Sequence, residues 1–193
     1  KNEVDANKNP TGKRVTTNDY GSADYYYVNK SSLPKVYGGF NTSLSWKGFD
    51  LSAIFAYSIG GYIYNRDVTM ILHNGSLEGR DWSTEILKRW TPDNRYTDVP
   101  ALSTTSNNWN SASTRFLQNN SYMRLKNLTL SYNLPKQWIS KLSLSSVQVY
   151  VQGDNLFTIH RNQGLDPEQG ITGITYYRYP AMRTISGGIN VSF

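Results

Sequence analysis

The last segment of the chain, residues 184–193, alternates strictly between apolar and polar positions. One set of alternate positions is apolar apart from a glycine: Ile185, Gly187, Ile189, Val191 and Phe193. The positions between them are all small or polar: Thr184, Ser186, Gly188, Asn190 and Ser192. A period of two predicts a β-strand with one apolar and one polar face. A strand of this kind that ends on an aromatic residue is typical of the last strand of an outer-membrane β-barrel, although a soluble β-sandwich can end on the same alternation.

Four earlier segments show the same period and predict four more strands, at residues 40–46, 49–58, 122–134 and 145–157. Each segment can supply much or all of the roughly 9–11 tilted residues with which a barrel strand crosses a bilayer. The pattern predicts a set of lipid-facing positions: Leu44, Leu51, Phe55, Leu128, Leu130, Val149, Ile189 and Val191.

The connections between these strands alternate in length. Residues 47–48 and 135–142 are short connections, whereas residues 60–118 and 159–182 are long. Outer-membrane barrels combine short periplasmic turns with long extracellular loops. Aromatic residues that would form an interfacial girdle fall near the short-turn end: Trp46, Phe49, Tyr132, Trp138 and Phe193. The sequence therefore predicts an all-β chain from a transmembrane antiparallel β-barrel in the bacterial outer membrane, with a periplasmic C-terminus and extracellular long loops.

Composition is compatible with this prediction. The chain has 193 residues, 13% aromatic residues with 15 tyrosines, and no cysteine, so no disulfide framework is expected. No apolar run approaches the 18 residues of a membrane-spanning helix. The net charge of +6 comes from scattered basic residues, so nucleic acid is not an expected partner, whereas phosphate-rich outer-membrane lipid is.

Five strands cannot close a barrel, and an open sheet edge is not viable in lipid. We therefore expect this chain to be the C-terminal part of a larger assembly, with the missing strands on its N-terminal side or in another chain. The start at Lys1, without Met or a signal peptide, is expected for a processed or cut piece.

Seven ordered stretches carry a resemblance to a known family. They are residues 33–40 (LPKVYGGF), 48–52 (GFDLS), 89–92 (RWTP), 113–117 (STRFL), 121–130 (SYMRLKNLTL), 154–158 (DNLFT) and 164–168 (GLDPE). The ordered set resembles the C-terminal region of the SusC/RagA family of TonB-linked outer-membrane transporters. It covers most of the chain after residue 33.

The resemblance implies a barrel of about 22 strands around a plug, of which this chain would supply the last five or so strands. It also implies energised import of oligosaccharides or peptides, with a SusD-like surface lipoprotein over the extracellular side. The plug and the segment that binds TonB would lie upstream of Lys1. Residues 1–35 would form an extracellular loop, and residues 36–193 would form strands and loops of the barrel. A passive porin or structural barrel is the alternative that the strand pattern leaves open.

Family members often carry an EF-hand-like loop near the start of this region. Asp5, Asn7 and Asn9 match the first three ligand positions of such a loop, but Pro10 and Thr16 occupy the sixth and twelfth. A solvated loop is therefore favoured, and no metal or cofactor is expected.

No catalytic set is expected either, and the chain is predicted not to be an enzyme. His73 and His160 are the only histidines and lie in separate loops. Asp166 and Glu168 flank Pro167, a spacing that could place two carboxylates together but is more typical of a turn.

The long loops offer aromatic candidates for contact with a ligand or partner: Trp82, Trp90, Trp109, Tyr176, Tyr177 and Arg178. Their flat rings could stack on a sugar or peptide, or they could pack the loops internally. A short helix is predicted around Trp90, with Asp81 or Ser83 as its cap, Ile86 and Leu87 on its apolar stripe, and residues 91–92 as its end.

Overall fold

A computed structural model describes residues 2–4, 6–17, 19–75, 77–103, 105, 108–164, 166–168 and 170–193. The strands are β1 (Asn2–Val4), β2 (Pro10–Arg14), β3 (Val36–Trp46), β4 (Phe49–Ile59), β5 (Tyr62–Asn65), β6 (Leu117–Asn119), β7 (Tyr122–Asn133), β8 (Ser146–His160), β9 (Ile174–Thr175) and β10 (Thr184–Ser192). The α-helices are α1 (Arg66–Ile71) and α2 (Lys136–Ile139). Short 3-10 helices lie at Tyr20–Ser22, Thr84–Lys88, Asn108–Asn110, Thr114–Phe116 and Ser140–Leu142.

The five long strands form one antiparallel sheet in the order β10-β8-β7-β4-β3. All five correspond to the segments with a period of two, and β3 and β8 extend beyond the predicted limits. The order follows the chain, as expected for a meander in which each strand pairs with its neighbour. β3 and β10 lie at the two edges of this sheet.

The register places the predicted apolar positions on a common face. Leu44 lies opposite Leu51, Leu51 lies opposite Leu130, and Leu130 lies opposite Val151. These side chains are exposed, with accessible fractions of 67% for Leu44 and 48% for Val151. An exposed apolar surface that runs across every strand is what a lipid-facing wall requires.

Polar side chains on the opposite face hydrogen-bond to one another, both across the strands and along β7. Asn133 Nδ2 donates to Asp50 Oδ2 at 2.7 Å, and Asn127 Nδ2 donates to Asp154 Oδ1 at 2.7 Å. The Thr129 hydroxyl donates to Asn127 Oδ1 at 2.8 Å. These bonds satisfy polar groups that would be costly to place against hydrocarbon.

The turn between β3 and β4 contains only Lys47 and Gly48, as the sequence predicts. Their φ angles are 48° and 89°, so both central residues are left-handed, as a type I′ hairpin turn requires. A Cβ on Gly48 would lie 3.2 Å from the carbonyl oxygen of Asn133 and from the ring of Tyr132. Glycine is therefore required here both for its backbone conformation and for space.

A bulge interrupts the sheet toward the other end of β7. Ile54 pairs with Asn127, but the next residue of β4, Phe55, pairs with Leu125, so Lys126 is an extra residue. In β8 the corresponding irregularity includes Asn155, whose φ is 53°. Bulges increase local twist and re-aim side chains.

The chain divides into two compact units. One comprises residues 31–63, 118–173 and 177–193 and contains the five-stranded sheet. The other comprises residues 1–30, 64–117 and 174–176. Its buried side chains include Asn65, His73, Phe116 and Thr175.

The long connection at residues 60–118 has more regular structure than the sequence pattern predicts. Helix α1 begins after Asn65, whose Oδ1 accepts from the N–H of Val68 at 3.0 Å. The predicted helix further on is a 3-10 helix, Thr84–Lys88, and Ser83 rather than Asp81 caps it. Ile86 is buried, but Leu87 is 71% exposed, so the two residues do not share the predicted buried stripe. None of the described helices has the length and apolar composition needed to cross a membrane.

Candidate functional site: a loop held on the polar face of the sheet

A buried arginine lies on the polar side of β7. Arg124 pairs with Ala56 of β4 and with Thr158 of β8, and its side chain is only 4% exposed. A guanidinium keeps its charge in proteins, so its burial requires acceptors and a counter-charge. The counter-charge comes from the connection between β8 and β10, and β8 itself adds one acceptor.

Three sets of atoms surround the Arg124 guanidinium. Nη2 donates to Asp166 Oδ1 at 2.5 Å, Nη1 donates to Glu168 Oε2 at 2.7 Å, and Nε donates to the Thr158 hydroxyl at 2.8 Å. Lys126, the bulge residue, brings its Nζ within 2.6 Å of Glu168. The planar fork of arginine suits this task because it can bind two carboxylates in fixed directions.

Asp166 is the most constrained member of this cluster. Burial favours its neutral form, but hydrogen bonds from the N–H groups of Ala181 and Glu168 and from Arg124 outweigh burial and lower the pKa of Asp166. The Ala181 N–H donates to Oδ2 at 2.6 Å, and the Glu168 N–H donates to Oδ1 at 2.9 Å. The carboxylate therefore stays charged and links two distant parts of the same loop.

The residue between the two carboxylates is also fixed. Pro167 is fully buried, and its carbonyl oxygen accepts from Asn120 Nδ2 at 2.8 Å. Asn120 Oδ1 in turn accepts from Asn162 Nδ2 at 2.9 Å. Residues 166–168 are thus a turn held on the sheet unit, and their carboxylates are committed to cations and backbone N–H groups. We call residues 161–164, 166–168, 170–173 and 177–181 the tethered loop.

A cavity of about 320 Å³ lies beside the tethered loop within the sheet unit. Its lining includes the rings of Tyr37, Tyr57 and Tyr122 and the loop residues Pro167 and Ile171. Aromatic walls with a few polar groups are typical of small-ligand sites. The loop therefore forms one wall of this cavity.

The indole N–H groups of two candidate tryptophans donate hydrogen bonds to Leu72 and His73, which are neighbours in sequence. Trp82 Nε1 donates to His73 Nδ1 at 3.1 Å, and Trp109 Nε1 donates to the carbonyl oxygen of Leu72. The guanidinium of Arg115 lies 3.4 Å from the ring centre of Trp109 and covers one of its faces. Trp109 therefore serves the packing of its unit, whereas Trp82 remains 46% exposed.

Trp90 and Tyr176 present more open rings. Trp90 is 44% exposed, and its backbone N–H donates to the carbonyl oxygen of Val99 at 2.8 Å. Tyr176 is 49% exposed, with the guanidinium of Arg66 at 4.8 Å from its ring centre. Both residues belong to the same compact unit as Trp82 and Trp109.

Tyr177 and Arg178 belong instead to the sheet unit. Both are exposed, and Tyr177 has a left-handed φ of 47°. The structure therefore divides the six candidate contacts between the two units. Sequence reasoning missed the role of Arg124, because a strict period of two places it on the apolar face with Leu128 and only the bulge at Lys126 moves it to the polar side.

The structure does not test the EF-hand-like loop near the start of the chain. Asp5 lies outside the described residues, and Asn7 and Asn9 are exposed. Within the described ranges, no three histidine, aspartate or glutamate side chains are placed to hold a metal ion.

Comparisons with known proteins agree with the geometry of the sheet. No protein-family model matches the sequence. TonB-dependent receptor P3 of Formosa agariphila is 34% identical over 166 residues, which cover 80% of this chain and 16% of the receptor. TonB-dependent receptor SusC of Bacteroides thetaiotaomicron is 27% identical over 168 residues, covering 86% of this chain and 16% of SusC.

A solved structure of the RagAB peptide importer in its closed-closed state matches the fold with a TM-score of 0.81 and 35% sequence identity, over 99% of this chain and 20% of that one. The chain thus spans a fifth or less of the length of these relatives. The match over nearly all of the chain covers both the amphipathic sheet and its loops. The chain therefore belongs to the SusC/RagA family of TonB-dependent outer-membrane receptors and corresponds to a C-terminal portion of their β-barrel.

Proposed function

We propose that this chain supplies part of the wall and extracellular mouth of an energised outer-membrane importer for oligosaccharides or peptides. One observation carries the proposal: the sheet has a continuous exposed apolar face, and the opposite, polar side carries a loop held by Arg124. A wall of this kind separates lipid from a polar interior. A loop fixed on the interior side narrows and shapes the path of a solute.

The importer would need components beyond this chain. We infer that the rest of the barrel, the plug and the segment that binds TonB complete it, and that a SusD-like lipoprotein covers the extracellular side. Similarity to the RagAB peptide importer and to SusC supports this assembly. In this arrangement residues 1–35 form an extracellular loop, residues 36–193 form strands and loops of the barrel, and the C-terminus is periplasmic.

The candidate contact residues differ in how accessible their side chains are to a ligand or partner. Trp82, Trp90 and Tyr176 offer partly open rings to a ligand or to the lipoprotein. Tyr177 and Arg178 offer an exposed ring and cation on the tethered loop. Trp109 is the weakest of the six, because Arg115 covers one face of its ring.

The test is uptake by cells that express the full-length transporter together with its lipoprotein. Fluorescent oligopeptides and oligosaccharides of matched size are supplied with TonB present or deleted. The proposal predicts that uptake of one of the two classes depends on TonB. Equal uptake without TonB would favour a passive porin, and no uptake of either class would contradict an importer of these substrates.

A further inference from the structure

The short-turn end of the sheet carries exposed lysine and tryptophan side chains. Trp46 and Trp138 are each 64% exposed, and Lys47 Nζ lies 4.8 Å from the ring centre of Trp46. Lys136 and Lys141 are also exposed. We call Trp46, Lys47, Lys136, Trp138 and Lys141 the lysine–tryptophan rim.

Backbone contacts place these residues along one edge. The N–H of Asn133, the last residue of β7, donates to the carbonyl oxygen of Gly48 at 2.8 Å, so the β3–β4 turn lies beside the end of β7. The chain then enters α2 after Pro135. Ile139 is buried and anchors this helix, which leaves Lys136 and Trp138 on its outer side.

The rim has no acidic counterpart in its own turns. Residues 44–49 and 134–147 contain no aspartate or glutamate. Asp50 is the acidic residue closest to Lys47 in sequence, but it lies on the polar face, where Asn133 Nδ2 at 2.7 Å and the Ser45 hydroxyl both donate to it. In the described part of the chain, no carboxylate lies within ion-pair distance of Lys47, Lys136 or Lys141.

The rim borders the exposed apolar face directly. The ring centres of Phe49 and Tyr132 lie 4.5 Å apart at this end, and Leu44 and Leu51 follow in the next row. Tryptophan prefers the boundary between hydrocarbon and headgroups, and lysine extends its ammonium group from that boundary toward phosphate. A cationic edge next to a lipid-facing surface attracts anionic lipids.

We propose that the lysine–tryptophan rim is a binding site for the phosphate groups of anionic phospholipids in the leaflet that the short turns contact. This inference rests on the proposed placement of the sheet in the outer membrane, with its short turns on the periplasmic side. The occupant is a phospholipid rather than free phosphate, because the cations adjoin an apolar surface that would hold acyl chains.

Thermal unfolding of the full-length transporter in non-ionic detergent tests the site. Phosphatidylglycerol is added and compared with phosphatidylcholine of the same chain length, with inorganic phosphate, and with lipopolysaccharide. Wild-type protein should gain several degrees more in its unfolding midpoint from phosphatidylglycerol than from phosphatidylcholine. The variant Lys47→Gln/Lys136→Gln/Lys141→Gln should lose most of that excess.

Two further variants separate the site from general charge. Lys8→Gln/Lys13→Gln/Lys88→Gln removes three positive charges from exposed positions elsewhere and should keep the excess. Lys47→Arg/Lys136→Arg/Lys141→Arg keeps the rim charged and should also keep the excess stabilisation by phosphatidylglycerol. If the triple glutamine variant does not assemble, Lys136→Gln alone should lose part of the excess.

The proposal is overturned if the glutamine variants keep the full excess, if inorganic phosphate gives the same gain, or if only lipopolysaccharide stabilises the protein. TonB-dependent uptake measured on the same variants keeps the two proposals apart. Wild-type import without a phosphatidylglycerol effect would refute the rim alone, whereas absent import with a phosphatidylglycerol effect would refute the importer alone.

Discussion

Arg124 and Asp166 form a buried ion pair, 42 residues apart in sequence, with Nη2 and Oδ1 separated by 2.5 Å. Their side chains are 4% and 7% exposed. The pair joins a strand of the wall to the tethered loop. Since Asp166 also accepts from the N–H of Ala181, one carboxylate fixes two points of that loop to β7.

Replacing Arg124 with Gln should release the tethered loop while the sheet stays folded. Removing one partner of a buried ion pair commonly costs about 3–5 kcal/mol, because the remaining charge is left uncompensated. Hydrogen–deuterium exchange of the full-length protein should show faster exchange in the tethered loop, with little change in β8. Arg124→Lys should give a smaller effect in the same direction, because one ammonium group cannot reproduce the fork.

Arg161→Gln is the matched control, since Arg161 is an exposed arginine at the start of the same loop. It should leave the exchange of the loop unchanged. If Arg124→Gln and the wild type exchange at the same rate, Arg124 does not hold the loop.

The ion pair between Arg124 and Asp166 should hold the tethered loop in place down to an unusually low pH. The pKa of Asp166 lies below its ordinary value of 3.8, so its ionised form stabilises the folded loop. That contribution is complete above pH 3.8 and is lost as the pH falls through the lowered pKa. A spin label at Ile171→Cys should therefore keep the same mobility from pH 8 to pH 5 and become mobile only when the pH falls below 3.8.

Arg124→Gln provides the comparison for this titration, because its label should be mobile at every pH. Loosening of the wild-type loop between pH 7 and pH 5 would contradict the lowered pKa of Asp166.

Charge on the two faces of β8 should have unequal effects. Val151 is 48% exposed on the apolar face and lies further from the short turns than Val149, which shares a row with Tyr132. Val151→Arg should destabilise the inserted barrel by about 2–4 kcal/mol, and Gln152→Arg on the polar face by much less. Urea unfolding in lipid vesicles measures both. Equal losses would show that the two faces of β8 meet the same environment.

Shortening residues 176–179 should weaken function without unfolding the barrel. Tyr177 and Tyr179 are 62% and 98% exposed, so their removal costs little packing. We expect reduced uptake or reduced co-purification of the lipoprotein, with normal heat-modifiable mobility of the barrel on gels. Tyr96→Ala is the control, because Tyr96 is fully exposed in the other long loop. Unchanged uptake and unchanged co-purification together would show that residues 176–179 contact neither the substrate nor the lipoprotein.

The strands could be predicted from sequence because each of their faces meets a different medium. The alternation in each strand predicts that Leu51 and Leu130 lie on the same face, and the register confirms this by pairing the two residues directly. The bulge at Lys126 could not be predicted, because it depends on how three strands pair at once rather than on the alternation within one.

The Arg124–Asp166 ion pair and helix α1 could not be predicted from the local alternation of apolar and polar residues. A strict period of two would place Arg124 on the apolar face with Leu128. The bulge at Lys126 moves it to the polar side, where the loop that contains Asp166 folds onto it, and contacts of such long range leave no local periodicity. Helix α1 is only six residues long, so its apolar spacing is too short to stand out, and Asn65 as its cap and Asp67 in its first turn were the available signals.

Collision accessibility of spin labels along β8 tests the central claim that this sheet separates lipid from a polar interior. The chain has no cysteine, so single cysteines at residues 147–152 can be labelled without competition from this region. In vesicles, labels at Val147, Val149 and Val151 should collide mainly with oxygen, which concentrates in the bilayer. Labels at Gln148, Tyr150 and Gln152 should collide mainly with a water-soluble nickel complex. Accessibility that does not alternate along these six positions would contradict the account.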